Sequence, residues 1–367
     1  MPAEIHAELV RAAPPTTISF DLEPVFNNLY SLVLLNYAEN LSGMDDWVTR
    51  TWNGLSPERR HNNRLVMEGL HFAVMPIRSW KTFEDYLNDL TTTDPVILRD
   101  RLINRLSSPK PDVAGTLRAE PMIEPTRLLD KETYINFLLN KHGIQEIDET
   151  LEREAHDYFT DPPRMHALIL YHLQTMWRDV LQGEWKRVRP MLEEAVYAFR
   201  AQDFSKATPY EIVQRVAAQE LKPWWADQIQ RTRQLILIPS AHVGPYLGKF
   251  QYNETMWVLF GAHLPEGMRV SSSALTRSEL LVRLSALNDD TRLRMLELLA
   301  KRDELCAQDI ITLLDVSQPA VSRHLKQLSA TGYVTERRRE GNKCYALNRE
   351  RLADTCERMN RFLANKT

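Results

Sequence analysis

The chain has 367 residues, 43% of them hydrophobic and 26% charged, with 46 Lys and Arg against 49 Asp and Glu for a net charge of −3. That balance suits a globular protein of two or three domains and excludes an intrinsically disordered one. Three scattered cysteines do not suggest a disulfide framework, and the longest apolar run, "LYSLVLLNYA", is too short to span a bilayer, so a cytoplasmic protein without membrane attachment is expected.

The opening "MPAEIHAELVRAAPP" contains acids and no apolar core segment, unlike a signal peptide. "TTISF" at 16–20 reads as a strand. Four pairs, Ser56-Pro57, Asp94-Pro95, Asp161-Pro162 and Thr208-Pro209, each place an N-cap before a proline in the first turn, and amphipathic runs follow. Helices dominate on this reading, with "SSPKPDVAGTLRAEP" as a loop that divides the region near 107–125. "RQLILIPS" at 233–240 and "ETMWVLFGA" at 254–262 read as strands that complete one small sheet.

This part lacks a phosphate loop, a dinucleotide glycine fingerprint, a nucleophile-elbow serine and a His-Glu-x-x-His helix, so no catalytic residue and no cofactor is nominated. His156, His166 and His172 stand near Asp157 and Asp161. His166 and His172, six apart, fall on different helix faces, so core or surface histidines are expected rather than a metal site. Ser240 and His242 in "IPSAHVGPY" suit a pocket wall and a structural turn equally well. All eight tryptophans lie upstream of residue 270 and read as core.

"PEGMRVSSSALTR" at 265–277 reads as a link. From Arg277 onward 17 Lys and Arg face 13 acids, net +4, which leaves 29 against 36, net −7, upstream. The expected division is therefore 1–270 and 271–367. In the second part Leu280, Leu281, Leu284 and Leu287 share one side of a helix, and "CAQDIITLLD" forms a short helix with Ile310, Leu313 and Leu314 apolar. A tight junction, Asp315 to Ser317, leads into "SQPAVSRHLKQL". There Ser317 is an N-cap, Pro319 occupies the first turn, and Val321, Leu325 and Leu328 form the apolar stripe. Pro319, Ser322, Arg323 and Lys326 fall on the opposite face, small, polar and basic, as a DNA major groove requires.

After "TGYV", two short alternating runs joined at Gly341 and Asn342 read as a hairpin. Seven cations (Arg323, Lys326, Arg337, Arg338, Arg339, Lys343, Arg349) against Glu336 and Glu340 give Val316 to Arg349 a net of +5. The last segment aligns Leu352, Cys356, Met359 and Leu363.

The motifs "LNDDTRLRMLELL", "ELCAQDIITLL", "SQPAVSRHLKQL", "TGYV" and "EGNKCYALN", in that order, resemble the winged helix-turn-helix of ArsR/SmtB-type bacterial regulators over about a quarter of the chain. The fold expected is mostly α: a helical N-terminal region with a small β element, plus a C-terminal winged helix-turn-helix (α+β) domain. The resemblance implies double-stranded DNA as partner, with Ser317, Gln318, Pro319, Ser322, Arg323, His324 and Lys326 at the groove and Arg337, Arg338, Arg339 and Lys343 on the backbone. It also implies a homodimer through the first and last helices of the domain, here Leu280, Leu284, Leu352, Cys356, Met359 and Leu363. Packing of those stripes on the chain's own N-terminal part is the other reading.

Arsenic-sensing members carry a second thiol two residues after the first, where this chain has Gln308 after Cys306, so no metal site is expected and Cys306 reads as a small N-cap residue. Residues 349–367 contain no histidine, so a zinc site in the last helix is not expected either; a rearranged site from Cys306, Cys344 and Cys356 is the remaining possibility. The sequence thus points to a DNA-binding repressor whose N-terminal region responds to a non-metal small-molecule effector. The alternative is a helical enzyme or protein-binding module with an accessory winged helix.

Overall fold

Proline places several helix starts through local chemistry. The computed structural model describes residues 16–107, 123–142, 147–217, 221, 224–263, 265, 273–339 and 342–364. The helices up to the middle of the chain are α1 (Pro24–Asn36), α2 (Asp46–Gly54), α3 (Pro57–Arg64), α4 (His71–Val74), α5 (Phe83–Thr92), α6 (Pro95–Ser107), α7 (Lys131–His142), α8 (Glu149–Phe159) and α9 (Pro162–Met176). They are followed by α10 (Gln182–Arg200), α11 (Pro209–Ala217) and α12 (Trp224–Gln230). At α3, α6, α9 and α11 the anticipated residue caps the helix: Ser56, Asp94, Asp161 and Thr208 accept the backbone N–H of Arg59, Val96, Arg164 and Glu211 at 3.3, 2.8, 3.3 and 3.3 Å. Each such cap stabilises its helix by about 1 kcal/mol. Two single π-helical turns, Leu65–Gly69 and Trp177–Leu181, interrupt the run before α4 and before α10.

The expected strands form one sheet: β1 (Thr17–Phe20), β2 (Gln234–Ser240) and β4 (Thr255–Gly261) are parallel in the order β1-β2-β4. A strand that the sequence reading omits, β3 (Gly248–Tyr252), completes it antiparallel to β4. Its "GKFQY" is half-buried and lacks the continuous apolar run by which doubly covered parallel strands declare themselves. Side chains alternate across the sheet. Ile236, Ile238, Trp257 and Leu259 meet Phe26 of α1 on one face, while Leu235, Leu237, Met256, Val258 and Phe260 meet α10, α11 and α12 on the other.

Helix α1 is buried nearly all round, Val25, Phe26, Leu29, Leu32, Leu34 and Leu35 together with the polar Asn27, Asn28 and Ser31, as befits a helix between a sheet and a helical bundle. The bundle core takes Trp47, Val48 and Trp52 from α2 and Met165, Ile169, Leu173 and Met176 from α9. Trp177, Trp225 and Trp257 are also buried, in keeping with tryptophan as core.

The C-terminal part runs α13 (Ser273–Leu287), α14 (Asp290–Ala300), β5 (Leu305–Cys306), α15 (Ala307–Leu314), α16 (Gln318–Ala330), β6 (Val334–Arg339), β7 (Asn342–Leu347) and α17 (Arg349–Ala364). Its own core joins Met295, Leu299, Ile310, Val321, Leu325, Leu328 and Tyr333. The sheet order is β5-β7-β6, all antiparallel. The molecule is therefore mostly α, with a small sheet in front and a winged helix-turn-helix behind. Among the described residues no helix is long and apolar enough to cross a membrane. The first fifteen residues, most of the 107–125 loop, most of the 265–277 link and Gly341 lie outside the described residues.

One expectation is overturned. Cys306 and Cys344 stand opposite each other on β5 and β7 and form a disulfide, while Cys356 is free. The odd cysteine count could not reveal the pair, because the pairing is set by strand register between segments 38 residues apart.

Candidate nucleic-acid interface

The turn between α15 and α16 depends on two backbone choices. Asp315 adopts the left-handed conformation at φ 53°, which a short polar residue tolerates, and Ser317 is extended at ψ 146° before Gln318 and Pro319 begin the helix. Ser317 holds the N-cap position as expected, yet its hydroxyl makes no cap bond and is exposed. Cys306 is the N-cap of α15, where Asp309 accepts the Cys306 N–H at 3.0 Å.

Burying Val321, Leu325 and Leu328 turns Ser317, Gln318, Pro319, Ser322, Arg323 and Lys326 to the surface. His324 differs from these. Its Nδ1 accepts from Arg292 Nη1 at 3.3 Å and lies 3.7 Å from Asp289, and burial pushes its pKa down. The ring is thereby held against α14.

In the wing, Arg337, Arg338, Arg339 and Lys343 are all exposed, but their charges are not equally available. Arg337 grips Glu304 with two guanidinium nitrogens, and Lys343 pairs with Glu336 at 3.4 Å. Arg323, Arg338 and Arg339 have no carboxylate partner among the described residues. These three are exposed cations, one on α16 and two on the wing, with no described carboxylate to neutralise them.

The residues expected at a two-fold contact divide. Leu280 is buried and Leu284 is half-buried on α13, which also touches α10 of the N-terminal part, Leu352 packs partly buried on the winged-domain core, and Cys356, Met359 and Leu363 stay open, the last two 40% and 67% exposed. Leu281, 58% exposed, adds to that open apolar stripe on α13 and α17. What joins these two helices is a feature sequence reading missed. Arg283, only 2% exposed, pairs with Glu279 at 2.8 Å and with Asp354 at 2.7 Å, and Tyr333 donates to its carbonyl at 3.2 Å. Arg358 also reaches Glu279 and Asp354. Removing one member of such a pair strands a buried charge.

The N-terminal part bears directly on α16. Gln327 is buried against Gly43 in the α1–α2 loop, where a Cβ would come 2.6 Å from Gln327 Nε2. Gly43 (φ 86°) in turn lies under Gly244 (φ 60°), where a Cβ would be 2.3 Å from the Gly43 carbonyl oxygen. Only glycine allows both the positive φ and the close approach. Tyr246 fixes the same loop by donating to the Ser42 carbonyl at 2.6 Å, and its ring lies 6.0 Å from Lys326 Nζ.

The histidines upstream serve packing. His166 donates to the Leu90 carbonyl at 2.8 Å, His172 to Asn63 Oδ1 at 3.1 Å, and His156 packs against Tyr134 and Phe159. Among the described residues, no three His, Cys, Asp or Glu side chains are grouped to hold a metal ion. Ser240 and His242 are both buried. His242 donates from Nε2 to Glu184 at 2.8 Å, places Nδ1 2.8 Å from the Ser31 hydroxyl and stacks on Trp47. Burial alone pushes the Glu184 carboxyl up, but hydrogen bonds from His242 and Arg187 outweigh it and bring it down to about 2. The Ser31 hydroxyl donates back to the Asn27 carbonyl at 2.8 Å inside α1, so this series of groups clamps α1 to α10 and the loop after β2.

Comparison with known proteins agrees with this geometry. Residues 289–336 match the family model described as bacterial regulatory protein, arsR family. The chain is 39% identical over 87 residues to an arsenical resistance operon repressor of Staphylococcus aureus, covering 23% of this chain and 82% of that protein. It is 47% identical over 53 residues to the arsenic resistance transcriptional regulator ArsR1 of Pseudomonas putida, 14% of this chain and 41% of that one. With ArsR2 of the same organism the identity is 42% over 65 residues, 18% of this chain and 56% of that one. The chain thus spans about half the length of the two Pseudomonas regulators.

Proposed function

The chain belongs to the ArsR family of bacterial regulatory proteins, and from that premise we propose that it is a sequence-specific DNA-binding transcriptional repressor acting as a homodimer. The observation that carries the reading is the exposed face of α16, with Arg323 unpaired by any carboxylate among the described residues. Ser317, Gln318, Pro319, Ser322, Arg323 and Lys326 meet base edges and nearby phosphates, and Arg338, Arg339 and Lys343 meet the backbone. Arg337 joins them by exchanging Glu304 for phosphate. His324 orients the helix from behind.

The open stripe of Leu281, Cys356, Met359 and Leu363 forms the two-fold contact that sets the spacing of the two α16 helices. Residues 271–367 are the DNA-binding domain, and residues 1–270 are the regulatory region, touching α16 through Gly43. The effector is organic rather than a metal or metalloid. The soft ligand set of arsenic sensing does not fit here, since Gln308 stands in place of the second thiol and the Cys306 sulfur is bonded to Cys344.

Selecting random duplex DNA with the full-length protein tests the proposal. A reproducible, two-fold symmetric sequence is expected, with half-sites about one helical turn apart; enrichment of no sequence would overturn it.

A further inference from the structure

A cavity of about 570 Å³ lies among α1, the π-helical turn before α4, α4 itself, the end of α6, α7 and the start of α8, closed on one side by β3. That volume is in the range of sites for metabolite- and drug-sized ligands, about 300–1,000 Å³. Its walls are mainly apolar and aromatic, with Leu29, Val33, Phe72, Leu138, Leu151 and Phe250 prominent. A π-helical turn such as Leu65–Gly69 recurs at functional sites, and here Met67, Glu68 and Gly69 of that turn line the space.

The polar groups decide which ligand charge fits. The acids are already engaged: Arg64 donates to Asp148 at 2.9 Å and to Glu68 at 3.4 Å, and the Tyr134 hydroxyl donates to Glu152 at 2.5 Å. Among the cations, Lys141 donates to the Leu106 carbonyl at 2.7 Å and Lys249 to Gln228. Arg105 is the exception. Its side chain is exposed at the cavity's edge, its guanidinium carbon stands 6.0 Å from the centre of the Phe72 ring, and no hydrogen bond or ion pair holds its fork among the described residues. A planar guanidinium with one face on an aromatic ring and its N–H fork open is built to receive a carboxylate with two parallel hydrogen bonds. A ligand ammonium would instead have to compete with Arg64 for Glu68 and Asp148 and with the Tyr134 hydroxyl for Glu152.

We propose that this cavity binds an apolar monocarboxylate, its hydrocarbon body against Leu29, Val33, Leu138 and Leu151 and its carboxylate on the Arg105 guanidinium. The site deepens the effector reading above and rests on it for its regulatory meaning. Helix α1 supplies Leu29, Tyr30 and Val33 to the cavity, Tyr37 just after it adds another wall residue, and the chain leads from there into the loop whose Gly43 rests on Gln327 of α16. A ligand that prefers one seating of α1 therefore biases the recognition helix.

The test titrates full-length protein with 2-naphthoate, 4-phenylbutyrate and dodecanoate, each beside its uncharged amide, by calorimetry and thermal shift. At least one acid should bind, its amide at least tenfold more weakly. Arg105→Ala should lose that preference, Arg105→Lys should keep part of it, and Leu138→Trp should fill the cavity and abolish binding. Equal binding of acids and amides, preference for an amine such as 2-naphthylamine, or no binding by any of the three acids would overturn the proposal. Operator binding, measured in parallel without ligand, separates the two readings: carboxylate binding without DNA binding sinks the regulator, and DNA binding without carboxylate binding sinks this site alone.

Discussion

Acid should loosen the N-terminal region through a single histidine. His172 on α9 is buried and donates to Asn63 Oδ1, while Asn63 Nδ2 donates to the Leu32 carbonyl at 2.8 Å and to Asn36 Oδ1 at 2.6 Å. This polar thread pins α1 to α3 and α9. Burial, with Arg59 nearby, lowers the His172 pKa from 6.5 to about 4. The folded state therefore holds the ring neutral where the unfolded chain would protonate it. Its contribution is fully present above the unfolded value and is lost as pH falls from 6.5 toward 4. The whole shift corresponds to about 3 kcal/mol, of which about 2 kcal/mol is lost by about pH 5.

His172→Gln keeps a donor toward Asn63 and cannot titrate. Urea unfolding followed by tryptophan fluorescence, at neutral pH and at about pH 5, should show the wild type losing about 2 kcal/mol more than the variant. Equal losses in the two proteins would refute the reasoning, because other groups that titrate in this window are common to both.

The contact between the two parts of the chain can be probed at Gly43. Alanine there meets both the left-handed conformation, which costs about 1–2 kcal/mol, and the end of the Gln327 side chain. Gly43→Ala should weaken operator binding several-fold and Gln327→Ala should restore part of it; additive effects of the two would contradict a shared contact. Reducing the Cys306–Cys344 disulfide opens a loop of 38 residues and should destabilise the winged domain by roughly 3–4 kcal/mol in the chain-entropy account. Cys344→Ser should then unfold at the same urea concentration with or without dithiothreitol, unlike the wild type. Leu363→Glu places a charge in the open stripe of α17 and should convert a dimer to a monomer in sedimentation velocity. An unchanged dimer would move the two-fold contact elsewhere.

What the sequence discloses is mostly what is decided locally. The N-cap and proline pairs succeed because capping needs only three or four consecutive residues, and the face of α16 is legible because helical period alone separates Val321, Leu325 and Leu328 from Ser322 and Arg323. Other features depend on segments far apart in the chain. Phe250 on β3 is recognisable as sheet only beside Trp257 of β4, and Cys344 meets Cys306 only through the register of β7 on β5. Arg283 reads as a solvated residue of a leucine-rich helix; only α17, folding back from some 70 positions later, surrounds it with Asp354 and Thr355. The cavity has no local signal, since seven segments must assemble before Arg105 stands at its wall. His324 shows the limit in the opposite direction, because a residue on the reading helix can be turned inward by Asp289 and Arg292.

The central claim is that the open face of α16 reads DNA sequence. Its most direct measurement compares Arg323→Ala and Arg338→Ala with the wild type, on the selected operator and on a shuffled duplex, over a range of salt concentrations. Arg323→Ala should lose about 1–3 kcal/mol on the operator and much less on the shuffled duplex, so discrimination falls. Arg338→Ala should weaken both alike and lower the salt dependence by about one counterion. An Arg323→Ala protein with unchanged affinity and unchanged discrimination would contradict the account.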